Sequence, residues 1–176
     1  KATSMADEIK RAMPASNVRA ITHDVREVNL EGFDVLIDAT GEQSLGQWLA
    51  AHHSQTSPLL HVWIEGAGIA VRSYIGKHTS EGCYRCLCDY ENWGDFQAVE
   101  GGVEPLFVGQ GCEGPYVPFS ASVSMQAAAL GFDAAMAWVG GNHWPGLSTR
   151  VLSREHEGVT ADCTILKRPG CPACGS

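Results

Sequence analysis

The chain has 176 residues, 44% hydrophobic and 18% charged, with a formal net charge of −8. That length and balance suit one domain, residues 1–176, with a sizeable core. The acidic surplus argues against nucleic acid as the main partner, because phosphate binding calls for a basic face. No apolar run is long enough to span a bilayer and no signal-peptide pattern is present, so no membrane role is expected. The chain starts without Met, inside a helical pattern at Lys1, and is expected to be a fragment of something longer.

Residues 3–13 predict a helix, with Met5, Ile9, Ala12 and Met13 on one face and Pro14 as its stop. Residues 17–22 (NVRAIT) alternate and are β-branched, which predicts a strand. Residues 33–39 (FDVLIDA) form a continuous apolar run of the kind that suits a parallel strand buried on both faces. A helix is expected over 43–53, with Leu45, Trp48 and Leu49 inward, and a strand over 59–65 (LLHVWIE). Strand, helix and strand with short joints make a βαβ crossover and an open α/β sheet.

After Gly68 the pattern changes, and 69–75 (IAVRSYI) reads as an antiparallel strand. Residues 88–111 are rich in Gly, acidic residues and scattered aromatics without a clear period, which suits a crossover loop or lid. Residues 120–139 form the strongest helical segment, Ala-rich, capped by Ser120 or Ser122 and ended by Gly140-Gly141. Two late strands are expected at 149–153 and 159–166. The expected fold class is α/β: a partial Rossmann-like, mostly parallel sheet with flanking helices, an antiparallel extension and a four-cysteine zinc site.

The zinc expectation comes from spacing. The chain holds seven cysteines, and two pairs have two residues between the sulfurs: Cys83 and Cys86 in GCYRCLC, Cys171 and Cys174 in GCPACGS. Such a turn points both thiolates at one ion, and two turns complete a closed tetrahedral shell, which is structural rather than catalytic. Gly82, Gly170 and Gly175 would relieve the tight backbone, and Lys77, Arg85, Lys167 and Arg168 are near enough in sequence to offset thiolate charge. Two redox pairs, or buried thiols, are the alternatives. A thioredoxin-like pair normally opens a helix after a strand, and neither pair is expected in that setting. A metal site in a reducing compartment, the cytoplasm, fits an odd cysteine count better than a disulfide framework.

Cys112 stands apart in GQGCEGPYVPFSAS, flanked by glycines and just before the capped helix. A helix N-terminus favours a thiolate, so this residue is the candidate nucleophile, set against the reading of a quiet small hydrophobe. Cys88 and Cys163 read as structural. The GAGIAV segment (66–71) follows a strand but leads into another strand, so it reads as a tight turn and not as a phosphate loop. The histidines show no ligand spacing, and Trp48, Trp63 and Trp138 read as core.

The order of the segments LLHVWIEGAG, CYRCL, a long loop, GC-x-GPYVP, an Ala-rich helix and RPGCPACG resembles the C-terminal half of ThiF/MoeB/HesA-type enzymes, bacterial relatives of ubiquitin E1. The resemblance covers nearly the whole chain, and the paired C-x-x-C motifs are its most specific part. The IDATG wording is most similar to bacterial E1 domains fused or linked to E2-like proteins, including those of anti-phage operons. The resemblance implies ATP and Mg²⁺ as cofactors, and adenylation of the C-terminus of a ubiquitin-like or sulfur-carrier protein. It also implies an acyl-accepting cysteine at Cys112, a phosphate-contacting lysine at Lys1 and a homodimer. Two departures stand out. Gly41 occupies the position of the family's Mg²⁺-binding Asp, leaving Asp38 or Glu42 to substitute, and the family's glycine-rich loop would lie before Lys1. These departures motivate the alternative of a non-catalytic, zinc-stabilised pseudo-E1 module for dimerisation or carrier docking.

Overall fold

A computed structural model describes residues 1–54, 56–76, 81–103, 110–111, 114–115 and 119–175. The chain divides into two compact units, Lys1–Leu30 and Glu31–Ser176. The first unit holds helix α1 (Ala2–Ala12) and a single 3-10 turn, Val25–Glu27. Helix α1 ends where expected, with basic Lys10 and Arg11 in its last turn, where they complement the helix dipole. The Asp24 side chain accepts from the Arg26 backbone N–H and opens the 3-10 turn. The strand expected at 17–22 does not form. A strand needs a ladder partner, and among the described residues this segment has none, whatever its β-propensity.

The second unit is built on strands β1 (Leu36–Asp38), β2 (Leu59–Glu65), β3 (Ala70–Gly76) and β6 (Leu147–Val151), in the order β1-β2-β3-β6. A short separate pair, β4 (Gln110–Gly111) and β5 (Gly114–Pro115), lies between them in sequence. The expected βαβ crossover is present: β1 and β2 run parallel, joined by helix α2 (Gln43–His53). The antiparallel extension is the larger share of the sheet, since β2–β3 and β3–β6 both run antiparallel. Its cause is local. Gly66 and Gly68 both adopt positive φ and turn β2 straight back into β3.

Side chains alternate across this sheet. Leu60, Val62, Val71 and Ile75 face helix α4 (Ala121–Val139), which answers with Val123, Ala127, Leu130 and Ala134. That stripe repeats at helical spacing. Gly131 lets the helix press against the sheet, since a Cβ there would lie 2.8 Å from Val62 Cγ2. The opposite face carries Tyr74, Leu147 and Trp63 against helix α3 (Tyr84–Asn92) and the four paired cysteines. Strand β2 therefore has apolar cover on both faces. The run 33–39, expected to be a strand buried on both faces, is instead reduced to the short edge strand β1, with Phe33 and Ile37 exposed, because an edge strand pairs on one side only and no layer among the described residues covers its outer face.

Two further expectations change. Residues 84–92 are helical, so the irregular connection expected from residue 88 begins with the end of α3, and residues 104–109 lie outside the described residues. The strand expected at 159–166 reduces to isolated bridges, Leu147↔Cys163 and Glu81↔Leu166, with Gly158 bridging Val99 just before it. The tail touches the rest of the unit at points without forming a ladder.

Candidate metal centre

The two C-x-x-C segments, 88 residues apart, meet on one side of the sheet. Cys83 caps the N-terminus of α3 and Cys86 sits in its first turn. A C-x-x-C pair does therefore open a helix here, contrary to the sequence expectation. The second pair decides its role, because Cys171 and Cys174 stand directly against it. Cys83 Sγ lies 4.0 Å from Cys86 Sγ and 3.7 Å from Cys171 Sγ, and Cys86 Sγ lies 3.4 Å from Cys174 Sγ. All four sulfurs fall within 4.8 Å of one another and all four residues are buried. Zinc–sulfur bonds of about 2.3 Å in a tetrahedron set the sulfurs about 3.8 Å apart. The observed separations bracket that value, and the donor set is all thiolate, so the cluster could hold a zinc ion. A disulfide would need about 2.05 Å, far shorter than any of these.

The backbone around the cluster has no room for side chains. A Cβ on Gly82 would lie 2.6 Å from the Leu166 carbonyl oxygen, and one on Gly175 would lie 2.4 Å from the Cys171 nitrogen. Gly170 takes a positive φ of 71° to start the second turn. Gly82 N–H donates to Ile165 O at 2.7 Å, and Tyr74 Oη donates to Gly82 O, which fixes the turn ahead of Cys83. Arg168 acts twice. Its backbone N–H donates to Cys86 Sγ at 3.4 Å, and its guanidinium pairs with Asp89 at 2.8 Å. The side chain thus clamps the tail to α3, and the thiolate is supported by the main chain.

Packed thiols compete for their protons. A hydrogen bond from Cys83 holds the Cys86 thiol below its ordinary range, against its burial. Donating that bond, together with burial, pushes Cys83 well up. Burial likewise raises Cys174. A divalent cation would instead stabilise the thiolate form of every sulfur that it binds. Cys88 is fully buried with its thiol raised to about 11 by burial, which is the environment of an inert cysteine. Cys163 is half-buried in its bridge and is also raised by burial.

Other candidate positions fall elsewhere. Cys112 and Lys77 lie outside the described residues. Lys1 belongs to the first unit, where it is exposed at the N-cap of α1. At the end of β1, Asp38 is buried with both oxygens engaged. Oδ1 accepts from Thr40 N at 3.0 Å and Thr40 Oγ1 at 2.7 Å, and Oδ2 faces His61 Nδ1 at 3.1 Å. Burial works to raise the carboxyl, but the bonds from His61 and Thr40 outweigh it and hold it below the usual range. Gly41 follows with a φ of 71°, and Glu42 is exposed at the N-cap of α2. The GAG segment is closed as well, since a Cβ on Gly66 would meet Val103 at 2.4 Å and one on Gly68 would meet Val123 at 2.9 Å. It is a packed turn with no phosphate cradle.

Two polar clusters escaped sequence reasoning. His61 stacks on Tyr84 with ring centroids 4.1 Å apart, and the β1–β2 register sets it opposite Asp38. A polar residue in each of two apolar runs was the available signal. Arg72 is 1% exposed and donates to Glu65, Glu91, Thr149 Oγ1 and the Phe96 carbonyl, beside the Trp63 ring. A charged residue in the middle of IAVRSYI already required buried partners.

No family model matches the chain. It is similar to the ATP-dependent ubiquitin transferase-like protein Cap2 of Pseudomonas aeruginosa (strain BWHPSA011 / Pa011), at 45% identity over 176 residues. The match covers all of this chain and 32% of that protein, so the chain spans about a third of the length of the curated relative it matches.

Proposed function

We propose that this chain is one portion of an E1-like enzyme that adenylates the C-terminus of a ubiquitin-like or sulfur-carrier protein, with ATP and Mg²⁺ as cofactors of the longer enzyme. The observation that carries the proposal is the 45% identity, sustained along the whole chain, to a protein named as ATP-dependent and ubiquitin transferase-like. The four-cysteine cluster supports it, because paired C-x-x-C motifs were the most specific part of the family resemblance. In this reading a structural zinc ion ties the tail to α3. Lys1 offsets phosphate charge. Cys112 takes the activated acyl group as a thioester, so that activation is split into two easier steps. The setting is cytoplasmic, the assembly a homodimer, and the downstream partner an E2-like protein.

The test is ATP–pyrophosphate exchange by the longer enzyme in the presence of its carrier. Exchange that depends on the carrier is the expected result. Cys112→Ala should retain exchange and lose the thiol-sensitive carrier adduct; an adduct that persists removes Cys112 from the role. A second reading, a non-catalytic module for dimerisation or carrier docking, is favoured by one observation. Asp38 has both oxygens engaged and Gly41 offers no ligand, so exposed Glu42 is the remaining carboxylate of the IDATGE segment. Saturable Mg-ATP binding by the longer enzyme counts against that reading, and its failure together with absent exchange counts for it.

A further inference from the structure

Helix α4 is apolar on more than the face that packs on the sheet. Of its 19 residues only Asp133 is charged, and that carboxylate is paired with Arg150 of β6 at 3.1 Å. Val123, Ala127, Leu130 and Ala134 meet the sheet, yet Met125, Phe132 and Val139 on the far side are 65–71% exposed. A helix that is hydrophobic all round is ordinarily buried all round. Among the described residues none shields this outer face.

The spacing specifies what fits there. Met125, Phe132 and Val139 recur every seven residues, and so do Ala121, Ala128 and Ala135 between them. This is the repeat of a two-helix seam, bulky at one position and alanine throughout at the other. When two copies of the helix lie antiparallel over their full length, Met125 falls opposite the partner's Ala135, Phe132 opposite the partner's Ala128, and Val139 opposite the partner's Ala121. Met136, also exposed, falls opposite the partner's Ser124. Each bulky side chain enters a gap over a small one, and the match is the same from either copy, as a twofold contact requires. Charge agrees. The chain carries −8, so two copies repel over much of their surface, and this helix is where that repulsion is least. The alanine line runs along the flank away from Asp133 and β6, toward β1. There Ile37, opposite Leu60 in register and so on the α4 face of the sheet, is also exposed, and a second helix against that flank covers it.

We propose that α4 pairs antiparallel with α4 of a second copy of this chain, about a twofold axis at the level of Leu130, the middle of the helix. The inference rests on the homodimer of the proposed function and gives it a surface. It does not rest on the adenylation chemistry, so the two can fail separately.

The mass of the longer enzyme in solution, measured by light scattering, tests the contact. The unaltered enzyme should have the mass of a dimer. Phe132→Arg and Ala128→Asp each set two like charges beside the axis, and each should halve that mass while leaving helicity unchanged. Mixing the two variants should restore the dimer, because the register sets position 132 of one chain against position 128 of the other and joins an arginine to an aspartate. A monomeric unaltered enzyme, variants that stay dimeric, or a mixture that stays monomeric overturns the proposal. Variants that lose helicity overturn it as well, since the face is then packed inside the longer chain. Carrier-dependent ATP–pyrophosphate exchange by a monomer would uphold the activity and overturn the contact.

Discussion

At Gly46, inside α2, an added methyl would lie 2.6 Å from Tyr84 Cε1 and 3.3 Å from Asp38 Oδ2. Alanine is worth about 1 kcal/mol over glycine in a helix interior. Overpacking of a fixed neighbour costs about 1–3 kcal/mol, and Tyr84 is fixed because it is stacked on His61. Gly46→Ala is therefore expected to destabilise the protein by up to about 2 kcal/mol on balance, read as a lower urea midpoint. A sequence cannot reveal this, since the obstruction comes from a residue on another helix. The cysteines were the opposite case. Spacing alone named all four members of the cluster, because the chemistry fixes the ligand type and the turn fixes the interval. Cys174→Ser should lower bound zinc from one ion per chain to a small fraction, measured by elemental analysis after dialysis.

Elements were legible where their stabilising partners lie close in sequence. Helix α2 and strand β2 matched residue for residue, because both belong to one βαβ unit with short joints. Residues 17–22 and 159–166 have strand-like composition but join no ladder among the described residues beyond isolated bridges, and composition does not report a missing partner. The Arg72 cluster shows what joins the elements. One guanidinium links β3 to β2, α3, β6 and the turn at Phe96, itself held at a positive φ of 52°. Arg72→Met would leave two carboxylates facing each other without this cation, and a loss of about 3–5 kcal/mol is expected in denaturant titration. Glu91 makes the cluster pH-sensitive. Burial raises its carboxyl to about 7, with Arg72 pulling down and Glu65 pushing up. The folded state then holds a proton that the unfolded chain releases near its ordinary value of 4.5. That contribution to stability is complete below about 4.5 and is lost as pH rises through about 7. Glu91→Gln should flatten the stability profile across this window.

For the molecule as a whole, a zinc ion held by the sulfur cluster would be a long-range crosslink. Cys83 and Cys171 are 88 residues apart. Closing a loop of that size removes entropy from the unfolded chain worth about 4–5 kcal/mol on the simplest polymer estimate. At this chain length that corresponds to roughly 9–18 °C in Tm. Chelation under reducing conditions should produce a fall of that order in calorimetry, reversed by zinc. The remaining apolar support comes from α4 against β2 and β3, a cluster of aliphatic side chains separate from the cysteines, and it should survive as residual helicity.

The spacing of the two sulfur pairs also sets a schedule for biosynthesis. A ribosome adds about 5–20 residues per second, so Cys83 and Cys86 emerge roughly 4–18 s before Cys171 and Cys174 exist. For that interval the nascent chain displays half a chelate, able to capture a stray copper ion or to oxidise to a local disulfide. Loading of a zinc ion by the cluster would then be a race between elongation and side reaction, and slowing translation between these codons should lower the yield of zinc-loaded protein.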